Sequence, residues 1–155
     1  MLDTSRYSRR VSTVLVYSDD PAIRESVRVA VGRVPSTEIG RVEYVECADG
    51  KAVVASVDAG GIDVCVLDAE AWPTGGMGIA RQLKDEIVDS PAIVLLVARR
   101  DDRWLATWSR AESVVGLPID PFELSAAVVE QLRARQAGPA VTSEAATPRF
   151  GLRPA

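Results

Sequence analysis

Two groups of polar residues in this chain have the types and positions that chemistry requires. The first is Ser18-Asp19-Asp20, which follows the apolar segment VSTVLVY. The second begins with Asp68, which ends the apolar segment VCVLD, and continues with Glu70. An acid at the end of a buried strand is costly unless another group pairs with it or the site uses it. Carboxylates that meet at one place either raise a pKa or hold a hard cation such as Mg²⁺.

Structural roles compete with these functional ones. Asp20 precedes Pro21, and an acid followed by proline is typical of a helix N-cap, so capping is the favoured interpretation for Asp20. Asp19 is a second cap candidate. Asp68 has no comparable structural role after four apolar residues, which favours a functional interpretation for it.

Composition excludes several classes of function. Histidine is absent, which excludes histidine-based acid–base catalysis, histidine metal ligands and a phosphohistidine relay within this chain. The formal net charge of −4 does not favour direct binding to nucleic acid or to an anionic membrane. Cys47 and Cys65 lie in apolar or alternating segments without metal-ligand spacing, so we expect reduced, buried thiols. No signal-peptide pattern or apolar run of about 18 residues is visible, which predicts a cytoplasmic protein without membrane insertion.

The elements that must position these residues alternate between strand and helix. Helical spacing follows each of five strand-like segments; residues 92–98 are wholly apolar, and residues 62–68 contain the continuous apolar run VCVL. Such strands need cover on both faces, so we predict a parallel sheet between two layers of helices, a three-layer (βα)5 fold. The predicted strands are 11–17, 42–48, 62–68, 92–98 and 113–117, and the predicted helices are 21–34, 50–59, 79–87, one that contains Trp104 and Trp108 and is capped by Asp101-Asp102, and one from 121.

The same reading predicts one domain with a short extension at each end. Residues 1–11 are polar and predict a flexible N-terminal arm, residues 12–136 form the domain, and residues 137–155 have the composition of a disordered C-terminal tail. In a doubly wound sheet, ligands lie outside the carboxyl ends of the strands, where the strand order reverses. With the flavodoxin-like order 2-1-3-4-5, Asp19 and Asp68 follow neighbouring strands at that point.

Five segments together carry a resemblance to a known family. In order and spacing they resemble the receiver domain of two-component response regulators, over about residues 12–135, and the chain is similar to the atypical single-domain regulators of actinobacteria. The segments are VLVYSDDPAIRE, VCVLD, PTGGMGIARQLK, IVLLVARRDD and LPIDPFEL. The resemblance implies a CheY-like fold and a stand-alone, non-enzymatic role in phosphorelay signalling.

The resemblance also implies roles for the acids. Asp68 corresponds to the phosphoacceptor, and Asp19 and Asp68 correspond to ligands of Mg²⁺, with the backbone carbonyl of Glu70 where a third ligand would lie. Ser18 takes the position of the first of two adjacent acids, and Asp20 is the acid that commonly follows. We expect a weakened Mg²⁺ site and no organic cofactor.

Two further positions depart from the receiver pattern. The hydroxyl residue that ends the fourth strand is replaced by Val97, or by Ala98 if the register shifts by one. The lysine that precedes the proline after the fifth strand is replaced by Leu117, before Pro118. A phosphoryl group adds close to two negative charges that cations and donors must compensate. We therefore expect a degenerate phosphorylation site.

The remaining features indicate protein contacts. Trp104 and Trp108 lie four residues apart on one stripe of the fourth helix, and either face a partner or pack against the sheet. The resemblance implies a sensor kinase or other protein as partner and a homodimer through the face of the fourth helix and fifth strand. The alternative function is a pseudo-receiver binding module that is independent of phosphorylation. A flavin protein or a haloacid-dehalogenase-type phosphatase is disfavoured, because the acids after the first strand repel phosphate and the Asp68/Glu70 pair lies on the wrong strand for that phosphatase.

Overall fold

The part of the chain that the computed structural model describes, residues 11–99 and 104–152, contains five strands and five helices in alternation. The strands are β1 (Val11–Tyr17), β2 (Arg41–Cys47), β3 (Val64–Asp68), β4 (Ala92–Val97) and β5 (Ser113–Gly116). The helices are α1 (Pro21–Val31), α2 (Gly50–Asp58), α3 (Gly76–Glu86), α4 (Trp104–Ser109) and α5 (Pro121–Leu152). The predicted N-terminal arm and the predicted cap Asp101-Asp102 lie outside the described residues, except for Val11.

The strands form one parallel sheet in the order β2-β1-β3-β4-β5, which confirms the predicted fold. Every residue of β3 and β4 is buried, as expected for strands covered on both faces. Two hydrophobic clusters occupy the two faces. One packs α1 and α5 against the sheet through residues such as Val27 and Leu124, and the other packs α2 and α3 through residues such as Val53 and Ile79.

Helix α1 begins as the sequence predicts and ends earlier. The Asp20 carboxylate accepts a hydrogen bond from the N–H of Ala22 at 2.8 Å, which confirms its role as the N-cap. The helix ends at Val31 because Gly32 follows in the left-handed region, with φ of 77°. The apolar spacing continues to Val34, so the sequence predicts a helix end three residues later than the structure has it.

Helix α5 extends further than its apolar pattern. Leu124, Val128 and Leu132 pack in the core, as predicted for the last helix. The backbone is helical to Leu152, whereas composition predicts a disordered tail from residue 137. The domain boundaries themselves stay predictions.

Two other expectations concern single residues and the membrane. Cys47 and Cys65 are both free and buried, as predicted, and burial raises the pKa of the Cys65 thiol to about 12. Among the described residues, no helix has the length and apolar character needed to cross a bilayer.

Helix α3 begins in close contact with the end of β3, which generates a stability prediction. A Cβ atom at Gly76 would lie 2.9 Å from both the carbonyl oxygen of Asp68 and the Cβ of Leu67. We expect Gly76→Ala to lower the free energy of unfolding by about 1–3 kcal/mol, because this backbone contact cannot relax cheaply. Gly78 in the same helix has no such neighbour within 4 Å and serves as the matched control. Gly78→Ala should raise stability by up to about 1 kcal/mol. Urea denaturation of both variants measures the difference, and equal stabilities would contradict the described contact.

Candidate functional site

The site is built on the neighbouring ends of β1 and β3. Tyr17 pairs with Leu67 in the parallel register, so Ser18 and Asp68 leave their strands side by side. Both residues are buried, with 0% and 4% of their surface exposed. The Ser18 hydroxyl donates a hydrogen bond to Asp68 Oδ2 at 2.8 Å. The strand order thus brings the group Ser18-Asp19-Asp20 next to Asp68, as predicted, and the residue of that group that bonds Asp68 is Ser18.

The second oxygen of Asp68 is also bonded. The backbone N–H of Glu70 donates to Asp68 Oδ1 at 2.8 Å. Burial raises the pKa of Asp68, the hydrogen bonds from Ser18 and Glu70 lower it in part, and the negative charges of Glu70 and Asp19 raise it further. Asp68 is therefore a buried carboxyl whose two oxygens are satisfied by the protein itself.

The three residues after β1 have different partners. Ser18 Oγ also accepts from the N–H of Asp20 at 3.0 Å, and the Asp20 side chain caps α1. Asp19 is exposed, and its Oδ1 accepts from the N–H of Trp72 at 3.2 Å. Arg24 donates to the carbonyl oxygen of Ser18 at 2.7 Å, which holds this turn against α1. Of the two acids, only Asp19 contacts the loop that follows β3.

Glu70 makes a contact that sequence reasoning missed. Sequence reasoning assigned the backbone carbonyl of Glu70 to a metal. In the structure, the side-chain carboxylate accepts a hydrogen bond from the N–H of Ala98 at 3.1 Å, at the end of β4. The one available signal was the presence of an acid in a loop longer than receivers usually have.

Val97 and Leu117, the two positions that the sequence comparison with receivers singled out, both lie in apolar surroundings. Val97 is buried in the cluster that includes α2 and α3, and Leu117 packs against the cluster on the opposite face. The N–H of Leu117 donates to the carbonyl oxygen of Val97 at 2.8 Å, which aligns the ends of β4 and β5. Lys84 does not replace the missing cation, because it pairs with Glu112 at 2.6 Å.

The described residues do not fit a preorganised Mg²⁺ site. Among them, no group of three or more acid, cysteine or histidine side chains is placed to hold a metal ion. Asp68 uses both oxygens for protein donors, and the carboxylates of Asp19 and Glu70 each accept a backbone N–H. Magnesium needs near-octahedral oxygen coordination, and both oxygens of Asp68, the central carboxylate, are oriented toward protein donors instead.

The tryptophans of α4 form an exposed pair. Trp104 and Trp108 are 70% and 51% exposed, so these side chains do not both pack against the sheet. The Arg81 guanidinium lies over the Trp108 ring at 4.8 Å from its centroid, and Arg81 also donates to the carbonyl oxygen of Trp108 at 2.9 Å. These contacts attach the end of α4 to α3.

A parallel sheet of this order, with acids after β1 and β3 at the point where strand order reverses, defines a receiver-type α/β domain. No protein-family model matches the chain. The chain is 50% identical over 121 residues to an uncharacterized response regulatory protein in each of two strains of Mycobacterium tuberculosis, and this match covers 78% of the chain and 91% of each relative. The chain belongs to the response regulator family, and its fold is that of a two-component receiver domain.

Solved structures support the same fold. The chain superposes on the receiver domain of Francisella response regulator 1452 with a TM-score of 0.66 at 18% identity, covering 79% of this chain and 97% of that one. It is also similar to response regulator TrrA of Thermotoga maritima, solved in complex with Mg²⁺-BeF, with a TM-score of 0.64 at 26% identity and coverage of 77% and 98%.

The raised pKa of Asp68 predicts a pH-dependent cost to stability. Because the native state disfavours the ionised carboxyl, the charge destabilises the fold at pH values above the native pKa. The cost disappears below the unfolded value of about 3.9. We expect Asp68→Asn to be more stable than the wild type at pH 7, with a difference that shrinks as the pH falls. Urea denaturation across pH 3–7 measures it.

A control variant separates this effect from the loss of one negative charge. Asp58→Asn removes an exposed acid at the end of α2. A stability difference for Asp68→Asn that is constant with pH, or equal to that of Asp58→Asn, would refute the assignment of a burial cost to Asp68.

Proposed function

We propose that this chain is an atypical response regulator with a degenerate phosphorylation site, and that it acts through protein–protein contacts. The observation that carries the proposal is the set of partners around Asp68. A serine hydroxyl bonds one oxygen, and the charges of Glu70 and Asp19 lie near the carboxyl. By the resemblance to receivers, Val97 and Leu117 occupy the positions of a hydroxyl and a lysine that would support phosphate, and both pack in apolar clusters.

The electrostatics of this pocket oppose a stable phosphoryl group. Phosphorylation adds about 1.5 to 2 negative charges near pH 7. Such a group on Asp68 would meet the carboxylates of Glu70 and Asp19, whereas Lys84 is engaged with Glu112. Asp68 is the candidate phosphoacceptor by position, but neither Val97 nor Leu117 can compensate the charge that phosphorylation would create.

The first test measures phosphorylation directly. The protein is incubated with acetyl phosphate and Mg²⁺ beside a receiver domain with an intact site, and intact mass is recorded. We expect no phosphorylated species for this chain, because Val97 and Leu117 offer neither a hydroxyl nor a cation, and a clear one for the reference receiver. A mass gain that Asp68→Asn abolishes would show that the site still works and would refute its degeneracy.

The proposed output surface is the face of α4 and β5 that carries Trp104 and Trp108. Tryptophan is enriched among residues that dominate binding energy at protein interfaces. Both indoles are exposed, while Arg81 holds α4 in place, so the pair is presented on a positioned helix. A sensor kinase, another protein or a second copy of the chain are the proposed partners. The absence of enzymatic activity and the cytoplasmic location stay predictions.

The second test measures the contribution of this face to binding. Immobilised wild-type protein is compared with Trp104→Ala and Trp108→Ala in pull-downs from a lysate of the source organism and in sedimentation velocity of the isolated chain. If these residues are central to the interface, each substitution costs about 2 kcal/mol or more, a loss of more than tenfold in affinity. Val29→Ala, which truncates an exposed apolar residue on α1, is the matched control and should bind normally. Equal binding by all variants would contradict the proposed face.

A second candidate function is a binding module in which phosphate has no part. The observation that favours it is that both Asp68 oxygens already have protein donors. Asp68→Ala tests this second candidate in the same pull-down. Partner binding that persists in Asp68→Ala supports the phosphate-independent module, whereas loss of binding there with retention in the tryptophan variants contradicts it.

A further inference from the structure

The ends of β3 and β4 are connected beyond the sheet itself. Asp68 pairs with Leu96 in the parallel register, and the N–H of Ala69 donates to the carbonyl oxygen of Leu96 at 2.9 Å. The Glu70 carboxylate then accepts the N–H of Ala98 at 3.1 Å. A side chain therefore prolongs the connection between the two strands past the point where the backbone ladder stops.

The loop that carries Glu70 is itself held from three directions. The N–H of Glu70 bonds Asp68, and the N–H of Trp72 bonds Asp19. The Tyr17 hydroxyl donates to the carbonyl oxygen of Thr74 at 2.5 Å. Glu70 thus extends from a positioned loop, and its contact with Ala98 transmits that position to the end of β4.

In the contact between Glu70 and Ala98, a carboxylate anion accepts a hydrogen bond from a backbone N–H. A carboxylate and a phosphoryl group both present oxygens that accept N–H bonds, and a charged acceptor makes the stronger hydrogen bond. In this chain the donor at the end of β4 is already occupied by an acid of the loop after β3. No external anion is needed to join the two.

A second contact joins the same two parts of the fold. Helix α3 follows the loop that carries Glu70, and its Arg81 bonds the carbonyl oxygen of Trp108 and stacks on its ring. The β3–α3 unit therefore contacts the β4–α4 unit at Ala98, before α4 begins, and at Trp108, near its end. The first contact involves Glu70, beside Asp68, and the second involves Trp108, one of the two exposed tryptophans.

We propose that Glu70 is a built-in anion that fixes the end of β4 at Ala98, and that this contact helps to position the tryptophan-bearing helix without phosphorylation. The proposal rests on the proposed function only in that α4 is taken as the output face. It assigns to Glu70 a positioning role between the pocket and that face.

Amide exchange and NMR of the isolated ¹⁵N-labelled protein test this role. Glu70→Ala removes the acceptor, Glu70→Gln keeps a neutral oxygen acceptor, and Glu86→Ala removes an exposed glutamate at the far end of α3. We expect exchange of the Ala98 amide to accelerate about tenfold in Glu70→Ala and less in Glu70→Gln, with no change in Glu86→Ala. The indole N–H signals of Trp104 and Trp108 should shift in the same order.

Two results would overturn the proposal. One is an Ala98 exchange rate in Glu70→Ala that equals the wild-type rate. The other is an altered Ala98 amide with unchanged indole signals, which would show that the contact does not position α4. The experiment uses neither acetyl phosphate nor a partner, so its failure leaves the mass and binding tests of the proposed function intact, and their failure leaves this result intact.

Discussion

The buried carboxyl of Asp68 is the constraint on which the rest of the site depends. A charge at the end of an all-apolar strand must find donors within the protein, and here the donors are the Ser18 hydroxyl and the Glu70 backbone N–H. Each donor in turn determines the shape of a loop. Ser18 turns the chain after β1 toward the cap of α1, and Glu70 turns the chain after β3 so that its own side chain reaches β4.

The framework of a receiver domain does not depend on the residues around this carboxyl. The sheet order and the buried strands are those of the family. Val97 and Leu117, at the two positions that the proposed function takes as departures from the receiver pattern, both contribute to hydrophobic packing.

The strands and helices could be predicted from the sequence wherever a single local pattern determines them. The apolar runs of β3 and β4 require cover on both faces, and Asp20 before Pro21 marks a helix start. The meeting of Ser18 with Asp68 also followed from strand order. The contact between Glu70 and Ala98 did not, because it depends on the path of a loop and on one rotamer, neither of which leaves a periodic signal. The end of α1 was missed for a similar reason, since Gly32 interrupts an apolar pattern that continues beyond it.

The placement of the aromatic residues has an optical consequence. The chain has three tryptophans, and Trp72, Trp104 and Trp108 are all exposed to solvent. The core therefore contributes no indole emission, and the fluorescence of the folded protein originates from two surface regions. Trp72 lies beside Asp19 at the acid pocket, and the other pair lies on α4. Replacing Trp72 by phenylalanine, or the α4 pair together, would turn the intrinsic emission into a separate reporter of each region, without any attached dye.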